Sequence, residues 1–321
     1  MGRILIISTT LLLAALAASA ENWPTWRGPG MQGHSSERNL PLRWSTTENV
    51  LWKSPLPGPG MSSPIVWEER IFVTQSLDRE GHRRALLCFH RRDGRLLWQR
   101  VTEYPEREST YAEEPHYCSA SPVTDGERVV AWFGSAGVVC YDFDGNELWR
   151  RDLGKCEHIW GNAASPILYR DLVILNFGPG ERTFLVALDK RTGREVWRVD
   201  QPGGKYGAAP SEWIGSWSTP VVARIGARDE LVMTWPEAVK AYDPATGRLL
   251  WSCGGLGRLV YTSPLVTSDV VVALSGFGGP ALAVTPGGEG DVTTTRRLWH
   301  VERTTQRIGS GVIVGDYLYV V

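Results

Sequence analysis

A unit of about fifty residues recurs along this chain and restricts what the chain can fold into. Each copy opens on a Ser-Pro or Thr-Pro pair and closes on a tryptophan. The opening pairs are Ser63-Pro64, Ser121-Pro122, Ser165-Pro166, Thr219-Pro220 and Ser263-Pro264. The closing residues are Trp98, Trp149, Trp197, Trp251 and Trp299. Because two independent markers keep the same order and nearly the same period, they indicate a true internal repeat.

Within each unit the residue pattern predicts four short strands. In the third unit these strands cover residues 166–169, 172–176, 184–188 and 194–197. The second strand of a unit is a continuous apolar run, which is typical of a sheet that is buried on both faces. A blade stacked between two other blades meets this condition. The sequence therefore predicts an all-β fold, a β-propeller of four-stranded antiparallel blades.

The residues before the first complete unit and after the fifth indicate how the ring of blades would close. Residues 308–312 and 316–321 resemble the first two strands of a sixth unit, and the sequence stops there. Trp52 precedes the first complete unit and is predicted to lie in the fourth strand of the last blade, donated by the N-terminal region. We expect a propeller domain over residues 21–321 that is incomplete at its C-terminal end. A complete chain is expected to have seven or eight blades.

The repeated tryptophans and turn residues have structural interpretations. The tryptophans at the blade ends are predicted to fill the wedge between neighbouring blades. These are Trp52, Trp98, Trp149, Trp197, Trp251 and Trp299. Asp142, Asp189 and Asp243 open the last turn of three units, where a carboxylate accepts backbone N–H groups. The glycine-rich residues 177–182 and 287–291 are predicted to be loops, because neither stretch joins a strand to a helix.

The first twenty residues have the pattern of a secretory signal peptide. Arg3 is followed by an apolar run over residues 4–18 and by the small-residue site Ala18-Ser19-Ala20. We expect the mature chain to begin at Glu21. No later apolar stretch is long enough to cross a bilayer, and no cysteine follows the run for lipidation. The sequence therefore predicts a periplasmic or secreted protein.

Five cysteines in an exported chain allow at most two internal disulfides. Cys88 and Cys140 stand at equivalent positions of two units where later units have alanine, so we predict that they are small buried packing residues. Cys118 and Cys156 lie in successive connectors between units. They are candidates for a disulfide bond, which depends on how close their Cα atoms lie.

The connectors between units carry the side chains that are best suited to binding. Because the innermost strand of a blade follows the connector from the previous blade, residues before each Ser/Thr-Pro pair should meet at one mouth of the channel. The candidate ligand-binding residues are Glu114, His116, Tyr117, Glu157, His158, Trp160, Asn162, Trp213, Trp217, Tyr261, Gln306 and Arg307. They would form an aromatic-walled pocket, or the His and Glu residues would only form hydrogen bonds with neighbouring connectors. A divalent metal on His116, Glu157 and His158 is a further alternative.

Residues 187–197 and 241–251 carry the clearest family resemblance. Their sequences, Ala-Leu-Asp-Lys-Arg-Thr-Gly-Arg-Glu-Val-Trp and Ala-Tyr-Asp-Pro-Ala-Thr-Gly-Arg-Leu-Leu-Trp, resemble the pyrroloquinoline-quinone (PQQ)-like repeat. Residues 23–29, Trp-Pro-Thr-Trp-Arg-Gly-Pro, are similar to the start of many exported proteins of that class. The resemblance implies one of two branches. BamB-type proteins are non-catalytic scaffolds in outer-membrane protein assembly, and quinoprotein dehydrogenases bind PQQ and Ca²⁺ over the propeller axis.

The resemblance and the residues together favour a non-catalytic exported propeller. Quinoprotein dehydrogenases usually carry an adjacent Cys-Cys pair, and some have a Cys-x-x-Cys-His motif; this sequence has neither. We therefore expect no cofactor and no catalytic residues, and a protein, peptide or small ligand bound at the axial face. A PQQ- and Ca²⁺-dependent oxidoreductase is the alternative, and a carbohydrate-binding propeller is the second. A formal net charge of -1 offers no basic field for nucleic acid.

Overall fold

The computed structural model describes residues 20–108, 117–204, 209 and 212–321. Five four-stranded antiparallel blades follow one another along the chain, as the repeat predicts, and the protein is a β-propeller. The first blade contains β1 (Ile65–Trp67), β2 (Arg70–Ser76), β3 (Arg83–His90) and β4 (Leu96–Glu103). The second contains β5 (Val123–Thr124), β6 (Arg128–Trp132), β7 (Val138–Asp142) and β8 (Glu147–Arg151). The third contains β9 (Ile167–Tyr169), β10 (Leu172–Phe177), β11 (Thr183–Asp189) and β12 (Glu195–Gln201).

The fourth and fifth blades carry additional short strands. A connector strand, β13 (Gly215–Ser216), precedes β14 (Val221–Ile225), β15 (Arg228–Trp235), β16 (Ala238–Tyr242) and β17 (Leu249–Gly254) of the fourth blade. A second connector strand is β18 (Leu259–Val260). The fifth blade contains β19 (Leu265–Val266), β20 (Val271–Leu274), β21 (Ala281–Val284) and β23 (Arg297–Val301). Its insertion holds β22 (Gly290–Asp291), which pairs with β17 in parallel.

The structure corrects two details of the predicted strands. The prediction of a loop over residues 287–291 is wrong at its end, because Gly290 and Asp291 extend the sheet of the preceding blade. The sixth unit is a hairpin of β24 (Val312–Val314) and β25 (Tyr317–Tyr319), so its first strand begins four residues later than predicted. Residues 178–182 form the predicted loop after β10. Two 3₁₀ turns, Pro29–Met31 and Gly134–Ala136, complete the described elements.

The hydroxyl that begins each unit joins one blade to the next around the axis. The backbone N–H of Ser121 donates to Oγ of Ser165 (3.0 Å), and the N–H of Ser165 donates to Oγ1 of Thr219 (2.9 Å). The same bond, 2.8 to 3.0 Å long, links each successive pair in the series. The residues of this hydroxyl belt are Ser63, Ser121, Ser165, Thr219, Ser263 and Ser310. The belt therefore fixes the spacing of the innermost strands.

A second contact joins the blades at their outer edge. The indole N–H of Trp149 donates to the backbone oxygen of Lys190 in the last turn of the next blade (2.8 Å). Its ring covers Gly193, where an added Cβ would lie 2.5 Å from a ring carbon. Equivalent bonds run from Trp52 to Arg91 (2.8 Å), from Trp98 to Phe143 (2.9 Å) and from Trp197 to Pro244 (3.2 Å). The repeated Trp and the repeated turn Gly therefore form one docking contact.

Three of the six tryptophans depart from the predicted arrangement. Trp52 lies outside the strands, so the predicted strand around it is wrong, although its indole docks on the first blade. Trp251 is fully buried beneath the inserted β22 and donates to a carboxylate oxygen of Glu230 (2.7 Å). Trp299 is 41% exposed. The docking bond to a last turn is therefore made by Trp52, Trp98, Trp149 and Trp197, and at Trp251 the inserted β22 pairs with the strand instead.

The turn aspartates and two of the cysteines have the predicted packing roles. Asp142 accepts the backbone N–H groups of Asp144 (2.9 Å) and Asn146 (2.8 Å). Cys88 and Cys140 are fully buried in the core. All five cysteines are free and buried, so the candidate disulfide between Cys118 and Cys156 is not formed. Burial raises the pKa of both of those thiols to about 12 and keeps them protonated.

The segment of residues 22–33, here the N-terminal plug, crosses the channel. Trp23 exchanges two backbone bonds of 2.8 Å with Val66 of the first blade. The carbonyl of Pro24 accepts from the second blade, and Gln32 accepts from the fifth. Arg27 donates to the backbone oxygen of Gly311 beside the sixth hairpin (2.6 Å). No helix among the described residues is long and apolar enough to span a membrane.

The docking contact predicts that Gly193→Ala destabilises the protein more than Gly226→Ala. Both glycines have positive φ, +69° and +55°, so each substitution forces alanine into the left-handed region at about 1 kcal/mol. Only Gly193 lies under a tryptophan, whereas nothing lies within 4 Å of a Cβ at Gly226. We expect Gly193→Ala to cost about 2 kcal/mol more, as overpacking does. Urea unfolding of the full chain measures the difference, and equal losses would contradict the docking role.

Candidate functional site

Two neighbouring connectors lie side by side at one mouth of the channel. β13 pairs with β18 in parallel, and the N–H of Trp217 donates to the carbonyl of Val260 (2.9 Å). This register sets Trp217 beside Tyr261, with ring centroids 4.9 Å apart and planes 12° apart. The indole N–H of Trp217 also donates to the carbonyl of Gly161 in the preceding connector (2.9 Å). Backbone bonding therefore fixes the positions of the rings.

Six rings from four parts of the chain form one aromatic cluster at this mouth. Its members are His158, Trp160, Trp213, Trp217, Tyr261 and Phe277. Trp160 meets Trp213 edge-on, with centroids 4.8 Å apart. The ring of Tyr261 lies 5.1 Å from that of Phe277. The guanidinium of Arg307 is 5.8 Å from the centroid of Phe277, which adds a cation at the rim.

His158 is neutral at neutral pH. Its ring meets Trp213 and Trp217 edge-on, with centroids 5.5 and 4.9 Å apart. Burial lowers the pKa of His158 to about 4. The backbone N–H of Trp160 donates to Nδ1 (3.2 Å), so the neutral ring carries its proton on Nε2. His158 therefore supplies a hydrogen-bond donor without a positive charge.

Tyr261 also keeps its proton. Burial raises the pKa of this phenol to about 12, so the hydroxyl group stays neutral at neutral pH. The hydroxyl has no partner among the described residues. A neutral phenol can both donate and accept a hydrogen bond.

Phe277 is the member that the connector argument missed. It lies in the turn between β20 and β21, not in a connector, and is 59% exposed. Its φ of +53° is unusual for a residue with a side chain. The turn is held because Gly278 N–H donates to the carbonyl of Gln306 (2.9 Å) and Phe277 N–H donates to that of Arg307. The run Gly276-Phe277-Gly278-Gly279, one aromatic among glycines, was the signal in the sequence.

Four predicted site residues lie apart from the cluster. Tyr117 is buried against the guanidinium of Arg84, 4.9 Å from its ring centroid. Glu157 is ion-paired with Lys155 (3.1 Å). Asn162 is buried, and Gln306 is buried with its side-chain amide donating to Gly309. For Glu157 and Gln306 these contacts lie within their own connectors.

The remaining candidates, Glu114 and His116, lie outside the described residues, as does most of the predicted signal peptide. Of the predicted metal ligands, His158 is enclosed by tryptophans and Glu157 is paired with Lys155. Within residues 20–108, 117–204, 209 and 212–321, no group of three or more His, Cys, Asp or Glu could hold a metal ion. The described cluster is therefore built for aromatic and hydrogen-bonding contacts.

Comparison of the sequence with protein families gives one match. The sequence model described as "Outer membrane protein assembly factor BamB" matches residues 37–173, 118–232 and 181–321 in three overlapping stretches. Together these stretches cover most of the chain. Among curated proteins there is no significant match.

Solved structures with the same fold come from both branches of the predicted class. BamB from Moraxella catarrhalis is 18% identical with a TM-score of 0.54, over 78% of this chain and 66% of that one. Quinohemoprotein alcohol dehydrogenase from Comamonas testosteroni is 14% identical with a TM-score of 0.62, over 94% and 53%. A europium-containing methanol dehydrogenase is 12% identical with a TM-score of 0.55, over 88% and 58%. This chain therefore spans between half and two thirds of the length of these proteins.

The burial of His158 predicts a loss of stability in mild acid that depends on this residue. Its pKa is about 4 in the folded protein and about 6.5 in an unfolded chain. The unfolded state therefore binds a proton first as the pH falls, and folding stability decreases between pH 6.5 and 4. We expect His158→Gln to remove about 2 kcal/mol of that decrease.

Urea unfolding at pH 7 and pH 4.5 measures this effect. His34→Gln is the control, because His34 is exposed in the N-terminal region and lies outside the cluster. It should keep the pH dependence of the unchanged protein. If His158→Gln keeps that dependence as well, the neutral buried state of His158 is wrong.

Proposed function

This chain belongs to the family described as outer membrane protein assembly factor BamB, and from that premise we propose that it is a non-catalytic binding protein for exported polypeptides. The aromatic cluster is its binding surface. A segment of an exported or outer-membrane protein lies across the rings, with the propeller as a rigid support. The carrying observation is that connectors of successive blades bring five aromatic rings and Phe277 together at one mouth.

The surface has the composition of a binding hot spot. Tryptophan, tyrosine and arginine are the residues that contribute most to protein interfaces, because they bury a large area at a small cost in conformational entropy. Phe277 and Arg307 are exposed at the rim, and Trp160 and Trp213 are partly exposed behind them. The strained φ of Phe277 is retained at a turn that serves to present its ring.

Export is part of the proposal. Residues 1–20 have the pattern of a signal peptide, so the mature chain would begin at Glu21 and act in the periplasm or outside the cell. There it would meet polypeptides that have crossed the inner membrane and have not yet folded. Such chains expose apolar and aromatic side chains that a folded protein buries.

The quinoprotein alternative makes a different demand on the site. The resemblance implies PQQ and Ca²⁺ for that branch, and Ca²⁺ is held by several carboxylate and carbonyl oxygens. Among the described residues no carboxylate group of this kind is assembled, and Glu157 is engaged by Lys155. The proposal therefore contains no redox step.

A titration with an unfolded client tests the proposed function. The probe is an outer-membrane β-barrel protein, fluorescently labelled and kept unfolded in dilute urea, and binding is measured by fluorescence anisotropy. We expect Trp213→Ala/Phe277→Ala to weaken binding at least tenfold, because two ring contacts of hot-spot type are lost. The melting temperature of the variant is recorded to establish that it is folded.

The matched control is Leu42→Ala/Trp44→Ala. It removes an aliphatic and an aromatic side chain from the N-terminal region, 95% and 72% exposed and so more exposed than Phe277 at 59%. This variant should bind as the unchanged protein does. Equal weakening in both variants would mean that the client meets general surface hydrophobicity, and unchanged binding by Trp213→Ala/Phe277→Ala would contradict the proposed surface.

A further inference from the structure

The polar atoms of the aromatic cluster include four groups that can donate hydrogen bonds. The indole N–H of Trp160 and the hydroxyl of Tyr261 have no partner among the described residues. The neutral ring of His158 adds Nε2–H, since its Nδ1 already accepts from the backbone. Arg307 adds a guanidinium, which only donates. A ligand for this surface must therefore bring acceptors together with apolar area.

Acceptors of the protein's own are scarce beside these donors. Glu157 is the carboxylate in the adjoining connector, and Lys155 holds it at 3.1 Å. The carbonyls of Gly161 and Val260 each accept one hydrogen bond, from the side chain and the backbone of Trp217. Sugars present hydroxyl groups that donate as well as accept, whereas Trp160, the neutral His158 ring at Nε2 and Arg307 only donate, and Tyr261 can do both. The donor set therefore favours a ligand that is richer in acceptors than a sugar.

Extended polypeptide in the polyproline II conformation has the complementary chemistry. This helix forms no internal hydrogen bonds, so its carbonyl oxygens remain free to accept. Its proline rings pack on tryptophan and tyrosine faces. Protein domains that recognise this helix bind it in grooves lined with aromatic residues. Its fixed φ leaves little conformational entropy to lose on binding.

Resting on the proposed binding function, we infer that the aromatic cluster recognises a proline-containing segment in the polyproline II conformation. Trp160 and Tyr261 donate to two carbonyl oxygens of the segment, while Trp213 and Phe277 pack on its rings. Arg307 lies at the rim and favours a segment with an acidic residue beside the prolines. Polyproline II is also a major conformer of unfolded chains, which connects this specificity to unfolded exported clients.

Calorimetric titration of the mature chain with a proline decamer tests the inference. We expect binding in the micromolar to millimolar range that Trp160→Phe and Tyr261→Phe each weaken about fivefold, because each variant loses one hydrogen-bond donor and keeps an aromatic ring at the position. Phe277→Ala should weaken binding about tenfold. Trp44→Ala, at an exposed tryptophan outside the cluster, should leave the affinity unchanged.

Two further probes separate the causes. A Gly-Ser decapeptide has the same number of carbonyl groups without the preformed helix and should bind at least tenfold more weakly. Cellohexaose should not bind. Decamer affinity equal to that of the Gly-Ser peptide, or unchanged by Trp160→Phe and Tyr261→Phe, would overturn the inference, and cellohexaose binding that depends on the same residues would replace it with the carbohydrate function.

The outcome is distinguishable from failure of the proposed function. If the unfolded β-barrel protein binds through Trp213 and Phe277 while the proline decamer does not, the polyproline II inference is wrong and the binding function stands. If neither probe depends on these residues, both are wrong.

Discussion

The bond from each unit's N–H to the hydroxyl of the next unit is the constraint on which this propeller depends. It occurs once per blade at the axis, where Ser121, Ser165 and Thr219 are almost fully buried. At the outer edge a second bond joins neighbouring blades, because the Trp149 indole donates to the last turn of the next blade. The second, third and fourth blades are thereby bonded to the preceding blade at both places. Residues elsewhere in the unit are therefore not needed to join the blades.

This division of roles explains why the candidate binding residues lie in the connectors. Connectors run from the rim of one blade to the axis of the next, and the belt residue fixes where each connector ends. The connectors before the third, fourth and fifth blades carry His158, Trp217 and Tyr261, and parallel pairing of β13 with β18 aligns Trp217 with Tyr261. The N-terminal plug contacts innermost-strand residues that follow the belt, whereas the connectors precede it. The cluster and the plug therefore belong to different ends of the channel.

The repeat made most of the fold predictable and only part of the site. Ser/Thr-Pro pairs, turn aspartates and blade-end tryptophans recur, so comparison of the copies assigns them without coordinates. β22 was missed because it exists in a single copy and pairs across blades. Phe277 was missed because it lies in a turn within a blade and not in a connector, and its glycine-rich run does not show that the turn bonds residues 306 and 307. Glu157 and Asn162 were predicted to be binding residues because the sequence shows that they lie in a connector. It does not show which neighbouring groups they contact.

The rigidity of the frame decides what kind of ligand such a cluster suits. Trp217 is held by a side-chain bond to Gly161 and a backbone bond to Val260, so its ring loses little freedom when a ligand arrives. A preformed surface retains more of its contact energy as affinity than one that must order on binding. The same surface cannot adapt to a globular partner of arbitrary shape. It gains most from a ligand that is itself extended and stiff, whose carbonyl groups arrive at a fixed spacing.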